Sequence, residues 1–282
     1  MTYDELWRPL TAVYDAGEAK AIVRYVLDVR FGMSATDVYC GKVTQLSADD
    51  ERRLDEIMQR LLRAEPVQYV LGEAEFCGRM FAVEPGVLIP RPETEELCRW
   101  IVEGEVAGRE GGKDILDVGT GSGCIAVTLA LDVDGARVEA WDVADEPLRV
   151  APANAARLGA QVNVVRQDAL NTPCDDARWD IVVSNPPYVC DSERAAMESN
   201  VLGYEPERAL FVPDADPLRF YKAIAGYAVK ALRPDGELYF EINPTFADDM
   251  VEMLRQTGFA AVEVRTDQFG KRRFTKAKLQ KI

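Results

Sequence analysis

Hydrophobic positions along the first 72 residues recur at helical spacing. In EAKAIVRYVLDVRFG, Ala19, Ile22, Val23, Val26 and Leu27 fall on one face, and Gly32 is placed to end the helix. Ser47 precedes ADDERRLDEIMQRLL, where a hydroxyl N-cap and early acids favour a helix start; Leu54, Ile57, Met58, Leu61 and Leu62 supply its apolar stripe. From Pro66 to Pro90 the pattern changes. AEFCGRMFAVEPGVLIP carries two short apolar runs with Gly78 and Pro85-Gly86 as turn signals, which predicts a hairpin. RPETEELCRWIVEGE then returns to helical spacing, with Pro92 in the first turn and Glu93, Glu95 and Glu96 suited to the helix dipole.

After a Gly111-Gly112 loop the chain alternates. DILDV, RVEAW, VNVV, WDIVVS and GELYFEI read as strands; GCIAVTLAL and DPLRFYKAIAGYAVKAL read as helices; FAAVEVRTD and KRRFTKAK add two late strands. Such alternation predicts an α/β, Rossmann-like fold: a largely parallel sheet covered by helices on both faces. The expected organisation is a helical domain over 1–72, a β-hairpin linker over 73–90 and an α/β domain over 91–282.

Composition narrows the chemistry. The chain holds no histidine, which removes His-based acid–base catalysis, Ser–His–Asp triads and His-ligated metals. The six cysteines contain no C-x-x-C pair, so buried free thiols in a reducing compartment are expected rather than a metal framework. No stretch approaches the roughly 20 apolar residues of a membrane span. MTYDELWRPL lacks a basic region followed by an apolar run, so a cytoplasmic protein is expected. The net charge of −15 opposes contact with phosphate backbones. The one dense basic run, KRRFTKAKLQK, reads as a solvated last strand and tail.

Two motifs carry the candidate chemistry. In DILDVGTGSGCIAVTLA a strand, a glycine-rich turn and a helix start follow one another, and Gly119, Gly121 and Gly123 let a ligand approach the backbone. Asp142, ending the next strand, can accept hydrogen bonds from both ribose hydroxyls; Asp168, after the third, can bind an adenine amino group. Three features at successive strand ends point to an adenosine-containing cofactor. Gly121-x-Gly123-x-x-Ala126 also fits a nicotinamide dinucleotide fingerprint, and each acid could be a turn residue only. The second motif, SNPPY, stops a buried strand beside the first. Asn185 brings an amide oxygen, Pro186 a backbone carbonyl without an N–H, and the paired prolines stiffen the turn. Tyr188 adds a ring. Two fixed acceptors beside a ring suit a planar –NH2 group: adenine, cytosine, or the amide of glutamine or asparagine.

LDVGTGSG together with SNPPY resembles the class I S-adenosylmethionine-dependent methyltransferases that act on amino groups. The longer segments PVQYVLGEAEFCGRMFAVEPGVLIPRPETEEL, SNPPYV and YEPERAL are similar to the PrmC/HemK family, from about Glu65 to the C-terminus. The resemblance implies a seven-stranded, mostly parallel sheet and an N-terminal helical domain that binds substrate. It also implies methylation of the glutamine amide nitrogen (N5) in the Gly-Gly-Gln motif of class I peptide chain release factors. S-adenosyl-L-methionine would bind Gly119, Thr120, Gly121, Ser122, Gly123, Asp142, Asp168 and Asn185, leaving S-adenosyl-L-homocysteine as product. Asn185, Pro186 and Tyr188 would be catalytic, and these three with Pro187 would hold the substrate. The long connection 189–217 is expected to meet the protein substrate. One departure is EINP, where Asn243 replaces a glycine after Glu241; no ligand role is assigned to Glu241. A monomer is expected, with no DNA or membrane partner. The rivals are an N6-adenine DNA methyltransferase, a NAD-dependent dehydrogenase and a non-catalytic binding module.

Overall fold

The computed structural model describes residues 1–106 and 112–279. Gly111 of the expected loop and Gln280-Lys281 of the basic tail lie outside them. The chain divides into two compact units, Met1–Glu73 with Met197–Glu205, and Ala74–Ala196 with Pro206–Ile282.

The first unit is helical. It contains α1 (Tyr3–Leu10), α2 (Ala16–Phe31), α3 (Ala35–Tyr39), α4 (Ala48–Leu61) and α5 (Val67–Leu71). Side-chain caps start four of them: Thr2, Asp15, Ser34 and Ser47 each accept from a backbone N–H of the first turn. Gly32 closes α2 in the left-handed conformation. Leu10, Val23, Leu27, Leu54 and Leu61 form its buried core. Arg60, near the end of α4, pairs with Glu65 and donates to the carbonyls of Tyr69 and Val70, tying α4 to α5.

The second unit opens with a hairpin of β1 (Glu73–Phe76) and β2 (Arg79–Ala82), turned at Cys77-Gly78. Phe76 and Phe81 meet edge to face at 5.9 Å within the core beside α6 (Pro92–Val106). The α/β series follows: β3 (Asp114–Val118), α7 (Cys124–Asp132), β4 (Arg137–Asp142), α8 (Asp145–Leu158), β5 (Val162–Arg166) and β6 (Trp179–Ser184). The segment after β6 is structured, with β7 (Val189–Cys190), α9 (Ser199–Tyr204), α10 (Glu207–Leu210) and β8 (Phe211–Val212). Of these, α9 belongs to the first unit, where the Tyr204 hydroxyl donates to the Arg63 carbonyl at 2.8 Å. Then come α11 (Arg219–Ala231), β9 (Leu232–Glu241), α12 (Ala247–Thr257), β10 (Phe259–Thr266) and β11 (Arg272–Leu279).

Seven strands form one sheet in the order β10-β11-β9-β6-β3-β4-β5. The five from β9 to β5 run parallel, and β11 and β10 add antiparallel pairs at one side. The central parallel strands β3 and β6 read as near-continuous apolar runs because both faces are covered, whereas β5 at the edge is only half-buried. One face packs Trp141, Tyr221, Phe240 and Met250 under α11 and α12; the other packs Trp100, Ile125, Ile181 and Tyr239 with α6 and α7. β3 and β6 are neighbours although β4, β5 and three connections separate them in sequence, so a crevice opens at their C-terminal ends.

Two expectations need correction. The basic run does not form a solvated last strand: β11 lies inside the sheet with Phe274 and Ala277 buried, and its cations meet carboxylates. Lys276 and Lys278 pair with Glu237, Arg272 with Asp248 and Arg273 with Asp267. Nor are all the thiols buried. All six cysteines are free, but Cys40 and Cys174 are exposed and Cys77 is half-buried. No helix among the described residues is long and apolar enough to cross a membrane.

Candidate active site

A cleft of about 300 Å³ occupies the crevice beyond β3 and β6. One wall is the loop after β3. Gly119 and Thr120 both donate their N–H groups to the Trp141 carbonyl at 2.9 Å, Gly121 donates to Asp142 Oδ2 at 3.0 Å, and Gly123 donates to the Thr120 carbonyl at 2.9 Å. Gly121 sits at φ +55°, a conformation that a side chain strains. Gly123 has a second reason to be glycine: a Cβ there would lie 3.0 Å from the Cβ of Ala151 on α8.

Buried groups fix this loop from behind. Asp117, fully buried on β3, accepts from the Thr120 hydroxyl at 2.6 Å and from the Ala126 N–H at 3.2 Å. Burial pushes its carboxyl up to about 7, against the pull of those two hydrogen bonds. Asn154, also fully buried, donates to the Ser122 and Ala82 carbonyls and accepts from the Ala82 N–H. One amide thereby joins the glycine loop to the end of the hairpin.

Asp142 Oδ1 accepts from the Val143 and Ala144 N–H groups at 2.8 and 3.0 Å while Oδ2 holds Gly121, and the residue still lines the cleft. It is a turn residue with lone pairs to spare. Asp168 likewise caps its own turn, accepting from Leu170 N–H at 2.9 Å, and faces the cleft. Gly119, Thr120, Gly121 and Ser122 line the same cavity, whereas Gly123 is set behind it.

The opposite wall is the turn after β6. The Ser184 hydroxyl donates to the Val118 carbonyl at 2.6 Å and pins the two strand ends together. Asn185, Pro186 and Pro187 line the cleft. Asn185 Nδ2 donates to Thr94 Oγ1 at 3.1 Å, and the Thr94 hydroxyl donates to Glu241 Oε2 at 2.6 Å. The Tyr188 hydroxyl donates to Glu241 Oε1 at 3.0 Å. The ring expected to face a planar amide is therefore behind the turn: Tyr188 packs on the core under α11 rather than on the cleft wall. Burial raises the Glu241 carboxyl, and its hydrogen bonds from Thr94 and Tyr188 and the charge of Arg273 oppose that rise. The Asn243 of EINP also has work here. Its Nδ2 donates to the Tyr188 carbonyl at 3.2 Å and to Glu193 Oε2 at 2.8 Å, so this residue holds the far end of the turn.

Thr94 and Glu241 are thus joined to the cleft turn by hydrogen bonds that no single element discloses. Thr94 stands in RPETE and Glu241 ends β9, and each was visible in a quoted motif without a role. The apolar remainder of the cleft, including Ile125, Val143, Ala169 and Leu170, provides a surface for a flat ring. The donor chemistry fits an adenosine that carries no phosphate. Asp142 and Asp168 face the cleft with Arg91 and Arg208 also in its lining, so charge alone does not choose the ligand; the N–H groups of Gly119, Thr120, Gly121 and Gly123, however, are spent inside the fold. A pyrophosphate needs such N–H groups, so the nicotinamide dinucleotide alternative fares worse.

Comparison with known proteins agrees on the class. Residues 10–72 match a family model described as the PrmC N-terminal domain, and residues 105–202 match the methyltransferase small domain. A release factor glutamine methyltransferase of Bacteroides thetaiotaomicron is 47% identical over 269 residues, 95% of each chain. Another, of Neisseria gonorrhoeae, is 36% identical over 282 residues, 100% of this chain and 99% of that one. Among solved structures, a 16S rRNA N2 G1207 methyltransferase of T. thermophilus, in complex with AdoMet and guanosine, aligns with a TM-score of 0.53 at 19% identity. That alignment covers 74% of this chain and 50% of the other, and it shares the fold.

Proposed function

The chain belongs to the release factor glutamine methyltransferase family, and on that premise we propose that it methylates the side-chain amide nitrogen (N5) of the glutamine in the Gly-Gly-Gln motif of class I peptide chain release factors. The methyl donor is S-adenosyl-L-methionine and the product S-adenosyl-L-homocysteine, on a monomeric cytoplasmic enzyme. The observation that carries the reading is the Asn185 amide. Its Nδ2 is committed to Thr94, which leaves Oδ1, an acceptor, for the cleft.

The Gly119–Gly123 loop, Asp142 and Asp168 would hold the donor, whose sulfonium supplies an electrophilic methyl group. An amide nitrogen is a poor nucleophile because its lone pair is delocalised; a rotation barrier of roughly 18–20 kcal/mol reports that resonance. Asn185 Oδ1 and the Pro186 carbonyl hold the two N–H bonds of the glutamine amide and so orient the nitrogen. The same two acceptors stabilise the positive charge that grows on it. Fixed orientation of this kind contributes several kcal/mol, up to about 7–11 in favourable intramolecular models. The nitrogen becomes acidic once methylated, so its proton can leave to water and no strong base is required. That agrees with a chain lacking histidine. Pro187 keeps the turn rigid and Tyr188 supports it from behind.

The test is mass spectrometry of a purified, unmethylated class I release factor incubated with the protein and S-adenosyl-L-methionine. A single methyl increment on the Gly-Gly-Gln glutamine is expected. Methyl transfer to adenine in a duplex oligonucleotide, and none to the release factor, would replace this reading with the DNA one.

A further inference from the structure

The two ends of an asparagine amide have nearly the same shape, so packing alone does not decide which faces a substrate. At Asn185 the decision is made by proton counting. Glu241 is 1% exposed, and as a carboxylate it can only accept. Two hydroxyls serve it, Thr94 Oγ1 on Oε2 at 2.6 Å and Tyr188 OH on Oε1 at 3.0 Å. Burial raises the Glu241 carboxyl, and the ionised form is held by these two hydrogen bonds together with the positive charge of Arg273, itself largely buried and paired with Asp267. Thr94 has one hydroxyl proton. Once it is given to Glu241, the oxygen left facing Asn185 can only accept, and Nδ2 is the end that fits.

We propose that Thr94 and Glu241 are positioning residues that fix the amide orientation of Asn185, forming a one-way chain Asn185 Nδ2–H to Thr94 Oγ1–H to the Glu241 carboxylate. Resting on the proposed reaction, this chain is what makes the cleft select a substrate that donates N–H. The opposite orientation would set Asn185 Oδ1 against an oxygen with no proton to offer. Losing that buried hydrogen bond disfavours it on the order of 10–100-fold. It would also present Nδ2 to the substrate amide, two donors face to face.

The chain's placement explains two sequence features. Thr94 lies in the first turn of α6, where Pro92 occupies the first position and the Thr94 N–H donates to the Arg91 carbonyl. Glu241 is the last residue of β9, beside β6 in the sheet, with Phe240 opposite Ser184. Because Glu241 takes one hydrogen bond from the Asn185 side and one from Tyr188, a single carboxylate holds both ends of the Asn-Pro-Pro-Tyr turn.

The first test is neutron diffraction on deuterated crystals of the protein, which distinguishes the ND2 group from the oxygen. Deuterons on the atom facing Thr94 are expected; oxygen there overturns the proposal. Kinetics on folded variants supply the second. Thr94→Val keeps the shape and removes the hydroxyl, and should lower kcat by about 10–100-fold. KM for the release factor and the calorimetric Kd for S-adenosyl-L-homocysteine should stay within about threefold. Thr94→Ser should recover most of the loss, and Glu241→Gln, which can no longer accept at both ends, should resemble Thr94→Val. Equal losses in Thr94→Ser and Thr94→Val would assign Thr94 a packing role and overturn the proposal, as would an unchanged kcat in Thr94→Val. If the wild-type protein methylates no release factor while the neutron density shows the chain, the substrate reading fails and the positioning stands.

Discussion

At the scale of single residues, Asn185 and Asp142 line the same cleft, and the proposed reaction gives them separable duties. Asn185→Ala should lower methyl transfer to the release factor by at least about a hundredfold while leaving cofactor affinity within a few-fold. Asp142→Ala should weaken calorimetric binding of S-adenosyl-L-homocysteine first, because it both exposes the ribose position and frees Val143, Ala144 and Gly121 N–H groups. Asp117 makes a pH-dependent prediction. Folded, its carboxyl keeps its proton up to about 7, whereas an unfolded Asp releases it near 3.8. Between those values the folded state binds more protons, so the contribution of Asp117 to stability is complete below about pH 4 and declines as pH rises toward 7. The stability of the wild type relative to Asp117→Asn should therefore fall by about 2–3 kcal/mol from pH 5 to pH 8, measured by urea denaturation. The placement of Asn185 and Asp142 at the cleft was legible in the sequence because one follows and the other ends a recognisable strand. The role of Thr94 and Glu241 was not, since their hydrogen bond joins residues 147 apart in sequence and only the packing of α6 against β9 brings them together.

At the scale of elements, every strand expected in the α/β region forms, and the central parallel ones β3 and β6 were the plainest because a strand buried on both faces is almost continuously hydrophobic. Strand order was less visible. Nothing local in KRRFTKAK says that it inserts between β9 and β10 and neutralises its cations there. The hairpin expected as a linker also hides its role in packing: Phe76 and Phe81 are core residues. The join between hairpin, loop and helix passes through Gly123 and Asn154. Gly123→Ala combines an unfavourable φ of +82° with a Cβ 3.0 Å from Ala151, and should cost about 1–3 kcal/mol in urea denaturation. Asn154→Ala strands the Ala82 N–H and the Ser122 carbonyl; a loss of about 2–4 kcal/mol is expected, with weaker cofactor binding as the loop loosens. Undiminished stability in both variants would show that α7 and α8 tolerate a looser approach.

At the scale of the whole molecule, the charge of −15 sets which partners the field admits. The β11 cations of the densest basic run are paired with carboxylates, so duplex DNA should give no mobility shift at 50 mM salt, where a phosphate-binding protein would be retained most strongly. A salt-sensitive shift would reopen the adenine reading. The division of the chain carries a consequence for synthesis. The helical unit emerges first from the ribosome, yet it includes Met197–Glu205, and Tyr204 bonds the Arg63 carbonyl. Its last piece is thus translated only after β3 to β6 have already appeared. The nascent helices must wait, incomplete, while much of the second unit is made. A fragment ending at residue 73 should melt below the helical unit of the intact chain, and a stalled nascent chain should gain protease resistance there only after residue 205 clears the exit tunnel.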